Sequence, residues 1–208
     1  MSYGIDHLVY ACAHLARGMD EIENLLGVRP VPGGQHPEFG THNALLSLGP
    51  ETYIEVIARD PDSTVSVPSA LAELANDQKS QLKTWVLRTE EIDQLAGVAN
   101  AAGINIGSVQ SGCRRAPDGS AIRWKLTDHN AMPMDGAIPF LISWGDTPHP
   151  AGVVPRGGEF LSLTIEHPDA DYVRAALSVL GVELEVIQAA EFKLTAGIQV
   201  NDEVRFLD

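Results

Sequence analysis

The chain carries one pattern three times: a short apolar strand, an amphipathic helix, then a Gly followed by a β-branched residue that opens another strand. The turns are Leu26-Gly27-Val28, Ala102-Gly103-Ile104 and Leu180-Gly181-Val182, with their glycines about 76 to 78 residues apart. A hidden repeat of this length dictates architecture, because each copy is one supersecondary unit that packs against others of its kind. The copies agree in apolar pattern and differ in polar residues. What they share belongs to the fold, and what only one of them holds belongs to function.

In copy one, residues 5–10 predict a strand, and residues 15–26 place Met19, Ile22 and Leu26 at helical spacing before Gly27, a suitable C-terminal cap. Residues 29–32 predict a short strand. Residues 44–48 and 53–58 predict a hairpin around the turn Gly49-Pro50-Glu51-Thr52. Copy two repeats the order with strands at 84–87, 105–109, 120–126 and 139–144 and a helix over 90–102. Copy three does so at 160–165, 183–187, 192–200 and 204–207, with a helix opening at Pro168 in its first turn. Residues 59–81, with Pro61 and Pro68, and residues 145–158, with three prolines, read as linkers.

At 208 residues and 44% hydrophobic, the chain can bury a full core. Its formal charge of −14, with no basic run, argues against nucleic acid and anionic membranes as partners. Cys12 and Cys113 have no spacing that suggests a disulfide framework, and no segment has the length and apolarity of a membrane span. A cytoplasmic protein with free thiols is expected.

Alternation along a strand sorts side chains into two faces. His7 is a lone polar group on its face of the first strand, and Glu55 is another beside Tyr53 and Ile57. Thr41, Asn43 and Ser47 lie opposite Ala44, Leu46 and Leu48, while His42 falls in the core-facing phase. In copy two Arg123 and Lys125 oppose Ile122, Trp124 and Leu126. A sheet with a helix on one face and His7, Glu55, Asn43 and Arg123 on the other predicts a polar cavity for a small ligand. An imidazole and a carboxylate facing one cavity are the material of a divalent metal site.

The strand GIDHLVY (4–10), the segment GGQHPEFGTHNAL (33–45) and the strand YIEVI (53–57) together resemble the glyoxalase-like domains of the vicinal oxygen chelate superfamily, and PFLISW (139–144) adds to the likeness. The resemblance implies an α+β fold of βαβββ modules whose curved mixed sheets surround a cup. The modules here span about 4–58 and 82–146 of a domain over residues 1–150, with a third, compact βαβββ-like unit over 159–208. It also implies a metal held by one residue from the first and one from the last strand of each module. His7 and Glu55 fill those positions in module one. Module two offers Thr84 and then Leu141, Ile142 or Ser143, and this departure argues against glyoxalase I activity itself.

The resemblance therefore leads to an enzyme acting on a small oxygen-rich or carboxylated metabolite, by lyase, isomerase or dioxygenase-type chemistry. His7 and Glu55 stand at the centre, with or without a divalent metal, and Thr41, His42, Asn43 and Arg123 bind substrate. Arg123 is suited to a substrate carboxylate, and without a metal Glu55 is a candidate general base on a carbon acid. His36 and His42 flank a glycine-rich segment that has the composition of a lid or of an exposed turn. A non-catalytic protein of the same fold that sequesters a small molecule is the alternative, and a structural role for the third copy is a further one. The resemblance leaves a homodimer open.

Overall fold

Each copy of the repeat folds as a strand, a helix and three further strands. The computed structural model describes residues 4–66, 79–115, 119 and 121–208. Copy one comprises β1 (Gly4–Ala11), α1 (Leu15–Leu26), β2 (Val31–His36), β3 (Thr41–Ser47) and β4 (Tyr53–Arg59). Copy two comprises β5 (Gln81–Arg88), α2 (Ile92–Ala101), β6 (Gln110–Arg115), β7 (Ala121–Leu126) and β8 (Phe140–Ser143). Copy three comprises β9 (Glu159–His167), α3 (Ala170–Val179), β10 (Glu185–Gln188), β11 (Lys193–Val200) and β12 (Glu203–Leu207).

The first eight strands close into a barrel in the order β1-β4-β3-β2-β6-β7-β8-β5, and the last four form a separate sheet in the order β10-β9-β11-β12. β1 joins the two modules: it runs parallel to β4, with Val9 opposite Glu55, and antiparallel to β5, with Val9 opposite Thr84. Closure leaves the first two modules one shared interior, and copy three lies outside that barrel. No helix among the described residues is long and apolar enough to cross a membrane.

The main core lies outside the barrel wall. Leu8 and Tyr10 of β1, Trp85 and Leu87 of β5, Ile22 and Leu26 of α1, and Leu95 and Ala99 of α2 pack into one buried cluster that continues into Leu163, Ile165 and Val173 of copy three. Burying Ile22 and Leu26 stabilises α1 by about 1.5–3 kcal/mol each. Gly27 ends that helix at φ 78°, and its N–H bonds Glu23 O at 2.7 Å, as the Gly-Val turn implies.

Several boundaries differ from expectation for identifiable reasons. The second strand of copy one is Val31–His36 rather than 29–32, so the glycine-rich segment is a hairpin arm instead of a lid, with a tight turn at Pro37–Gly40 closed by the Gly40 N–H on His36 O. Residues 105–109 form no strand. Ile104 and Ile106 plunge into the core there, and the Asn100 side chain holds the local backbone by bonding Ile106 N and Gly107 O. In copy three, Asp169 caps α3 by accepting from Tyr172 N at 3.3 Å, which places Pro168 before the helix instead of in its first turn. Residues 145–158 pack on the barrel mouth through the short 3-10 turn Pro150–Gly152 and buried Ala151. Of the other expected linker, residues 67–78 lie outside the described residues.

Candidate active site

Alternation along β1, β3 and β4 turns His7 and Val9, then Thr41, Asn43 and Leu45, then Tyr53, Glu55 and Ile57 into the barrel. They line a cavity of about 940 Å3 including its mouth, completed from copy two by Thr84, Arg114, Trp124, Leu126, Phe140 and Ile142. Most of this wall is apolar or aromatic. Its polar part is one connected network.

Glu55 is the sole carboxylate among the described residues lining the cavity. Its Oε1 accepts from Asn43 Nδ2 at 2.6 Å, and its Oε2 lies 3.5 Å from His7 Nε2. The other face of His7 is held too, because Nδ1 donates to Asp6 Oδ1 at 2.7 Å and the ring stacks on Tyr53 with centroids 4.6 Å apart. Asp6 is fully buried and also accepts from Trp144 Nε1 and His149 Nε2, each at 3.0 Å. The β1–β5 register slips between Ile5 and His7. An irregularity of this kind re-aims a side chain, and here Asp6 reaches beneath its own neighbour.

The electrostatics follow from these contacts. Burial alone disfavours an imidazolium, but the hydrogen bonds and charges of Asp6 and Glu55 outweigh it and raise His7 to about 9. Burial likewise disfavours a carboxylate at Glu55, yet the hydrogen bond and charge of His7, together with Asn43, hold it at about 2. Asp6 is held far below the ordinary carboxylate range against its burial by His149 and His7. His36 differs: burial pushes it down to about 4, so it stands neutral beside the ion pair. Asn43 Nδ2 lies 3.4 Å from His36 Nε2 and can only donate to it, which leaves the ring proton on Nδ1 facing Thr41 Oγ1 at 2.9 Å.

Asn43 stands where it does because residue 33 is glycine. A Cβ there would meet Asn43 Oδ1 at 2.3 Å and Leu45 at 3.0 Å. Asn43 Oδ1 is buried and has no hydrogen-bond partner among the described residues.

His7, Glu55, Asn43 and Thr41 thus meet in one network. His42 and Arg123 do not join it. His42 alternates outward on β3, half-buried, with Asp60 and Asp62 as its nearby charges. Arg123 is exposed on the outer face of β7, while Trp124 and Leu126 point inward. β7 stands in the opposite phase to the expectation: the cavity wall of module two is apolar, and the outer face of β7 carries Arg123 and Lys125, with Lys125 paired to Asp93 at 3.1 Å. Polarity therefore marked the wrong face.

Among the described residues, the arginine that lines the barrel interior is Arg114 of β6, which is 6% exposed and donates to Gly33 O. Sequence alternation missed it, as it missed Asp6, His149 and the Trp124–Trp144 pair. The Asp6-His7 dipeptide in an otherwise apolar strand was the available signal for Asp6. His129, in the loop after β7, also lines the cavity, and Phe39 packs on it at 4.4 Å between ring centroids.

A divalent metal does not fit this donor set. Among the described residues no three His, Cys, Asp or Glu side chains converge as ligands. In module two the Thr84 hydroxyl is committed to Gly136 O at 3.0 Å, and β8 presents Phe140 and Ile142 to the cavity. A two-residue site short of tetrahedral or octahedral completion is a poor host for such a cation.

The sequence profile of a glyoxalase-like domain family matches residues 5–181. No curated protein sequence matches the chain. Among solved structures, a hypothetical protein from Staphylococcus aureus aligns with a TM-score of 0.65 at 14% identity, covering 99% of this chain and 84% of that one. A methylmalonyl-CoA epimerase of Streptomyces coelicolor aligns at 0.46 and 17% identity over 71% of this chain and 98% of its own. The corresponding enzyme of Mycobacterium tuberculosis aligns at 0.43 and 18% identity over 67% of this chain and 85% of its own. With a profile that spans two barrel modules and the first strand and helix of the third copy, the chain belongs to the glyoxalase-like domain family.

Proposed function

We propose that the barrel cavity is the active site of an enzyme that moves a proton on a small, oxygen-bearing metabolite, with Glu55 as the base. The observation that carries this is the placement of one ionised carboxylate, Glu55, in a largely apolar cavity 3.5 Å from a protonated imidazole, His7. Glu55 at about 2 is always in its basic form at neutral pH but is a weak base. The substrate carbon must then be acidified by an adjacent oxygen-bearing group whose developing charge is met by the cations around it. Asn43 orients the carboxylate, and neutral His36 with Thr41 fixes Asn43.

A second role has its own support: Glu55 is already engaged by Asn43 and His7, as in a site that only binds. Incubation of small keto acids, hydroxy acids and esters with the protein in deuterated buffer separates the two. Exchange of a substrate C–H for deuterium, seen by proton NMR and lost in Glu55→Gln, is the expected outcome. Ligands that bind, by shifting the melting temperature, yet never exchange or change would leave sequestration as the function. Cys12 and Cys113 are free thiols, with burial pushing Cys12 up to about 12, which accords with a proposed cytoplasmic location.

A further inference from the structure

Arg114 is a buried guanidinium that the described residues hold only in part. Among the described residues its one hydrogen-bond acceptor is Gly33 O, and no carboxylate pairs with it; Glu55 acts on it only through space. A guanidinium offers five N–H donors in a planar fork, and a single carbonyl uses only part of that capacity. Leaving a charge buried without a partner is strongly destabilising. A cation placed at 6% exposure on a cavity wall is therefore waiting for an anion.

The charge of the whole cavity agrees. Asp6 and Glu55 contribute two negative charges around it, whereas His7, Arg114 and Lys83 contribute three positive ones, so the interior is cationic in a chain of formal charge −14. β6 sits three strands from β4 around the eight-stranded ring. Arg114 lines the cavity from β6 and reaches back to Gly33 O on β2. Beside it the wall is aromatic: Trp124 and Trp144 lie 5.7 Å apart between ring centroids, and Phe140 shares their small inner cluster.

We propose that the cavity takes a flat, apolar-bodied monocarboxylate, of the arylcarboxylate kind, with its carboxylate on Arg114 and its body against Trp124, Trp144 and Phe140. This rests on the barrel cavity being the ligand site and is independent of turnover there. The fork of Arg114 matches two carboxylate oxygens at once. Exposed Arg123 takes no part.

The test uses 2-naphthoate and its uncharged isostere 2-naphthamide, followed by quenching of tryptophan fluorescence. Wild type is expected to bind 2-naphthoate at least tenfold more tightly than 2-naphthamide. Arg114→Gln is expected to abolish that preference by weakening naphthoate alone, Arg114→Lys to keep part of it, and Arg123→Gln to keep all of it. Equal binding of the two probes to wild type, no naphthoate binding, or a preference that survives Arg114→Gln overturns the proposal. The wild-type comparison decides even if Arg114→Gln does not fold. The naphthoate preference of wild type is read without turnover, so failure of proton transfer and failure of carboxylate binding are separate results.

Discussion

His7 is clamped between two carboxylates: its Nδ1 donates to Asp6 Oδ1 at 2.7 Å while its Nε2 faces Glu55 Oε2 at 3.5 Å. The inner carboxylate is the structural one. Asp6 gathers donors from β1, from Trp144 after β8 and from His149 in the segment beyond it, so it ties both barrel modules to residues 145–158. Asp6→Asn leaves His7, Trp144 and His149 without their shared anion, and breaking a buried pair in this way costs about 3–5 kcal/mol. A urea titration comparing wild type with Asp6→Asn measures it, and a loss below about 1 kcal/mol would contradict the hub role.

Stability should peak near pH 6.5. His7 has a folded value of about 9 against an ordinary 6.5, so its contribution is complete below 6.5 and is lost as pH rises through 9. His36, pushed down to about 4, binds fewer protons folded than unfolded, so stability is lost as pH falls from 6.5 through 4. Glu55, held at about 2 against 4.5, contributes fully above 4.5 and loses that contribution as pH falls through 2. The denaturation midpoint is expected to decline on both sides of pH 6.5, and His36→Gln to flatten the acid side. A midpoint constant from pH 5 to 9 would sink this assignment.

Gly33→Ala tests how Asn43 is placed. The added methyl group must displace Asn43 Oδ1, 2.3 Å away, and Leu45. Overpacking of this kind costs about 1–3 kcal/mol. The variant is expected to lose ligand binding along with stability. Wild-type ligand affinity in Gly33→Ala would show that Asn43 need not hold this position.

Chelation should change nothing. Because the second module supplies Thr84, Phe140 and Ile142 to the cavity, dialysis against a chelator, or addition of zinc, magnesium or manganese, is expected to leave the melting temperature of wild type and of His7→Gln unmoved. Stoichiometric metal bound by wild type and lost in His7→Gln would contradict it.

The module order was legible because strand, helix and glycine turn recur with the apolar spacing that packing requires, and Leu8, Ile22 and Ile54 duly lie in the outer core. His7, Asn43 and Glu55 were legible for the same reason: each interrupts an apolar face of a regular strand. Arg123 and His42 show the limit of that logic. Where a ligand cavity is lined by Trp124 and Leu126, the polar face of the strand is the solvent face, and alternation points outward. Asp6 was hidden by a register slip, and Arg114 by its place in a strand that begins after the apolar run at Ile104 and Ile106. Long-range hydrogen bonds such as Trp144 and His149 to Asp6 leave no mark on local pattern at all.

The most direct measurement is the rate of solvent-deuterium incorporation into a bound carbon acid by wild type and Glu55→Gln at equal ligand occupancy. A general base contributes about 10²–10⁴-fold. Glu55→Gln is expected to bind within about threefold of wild type and to exchange at least a hundredfold more slowly, in keeping with that range. Exchange at the wild-type rate in Glu55→Gln would contradict proton transfer at Glu55.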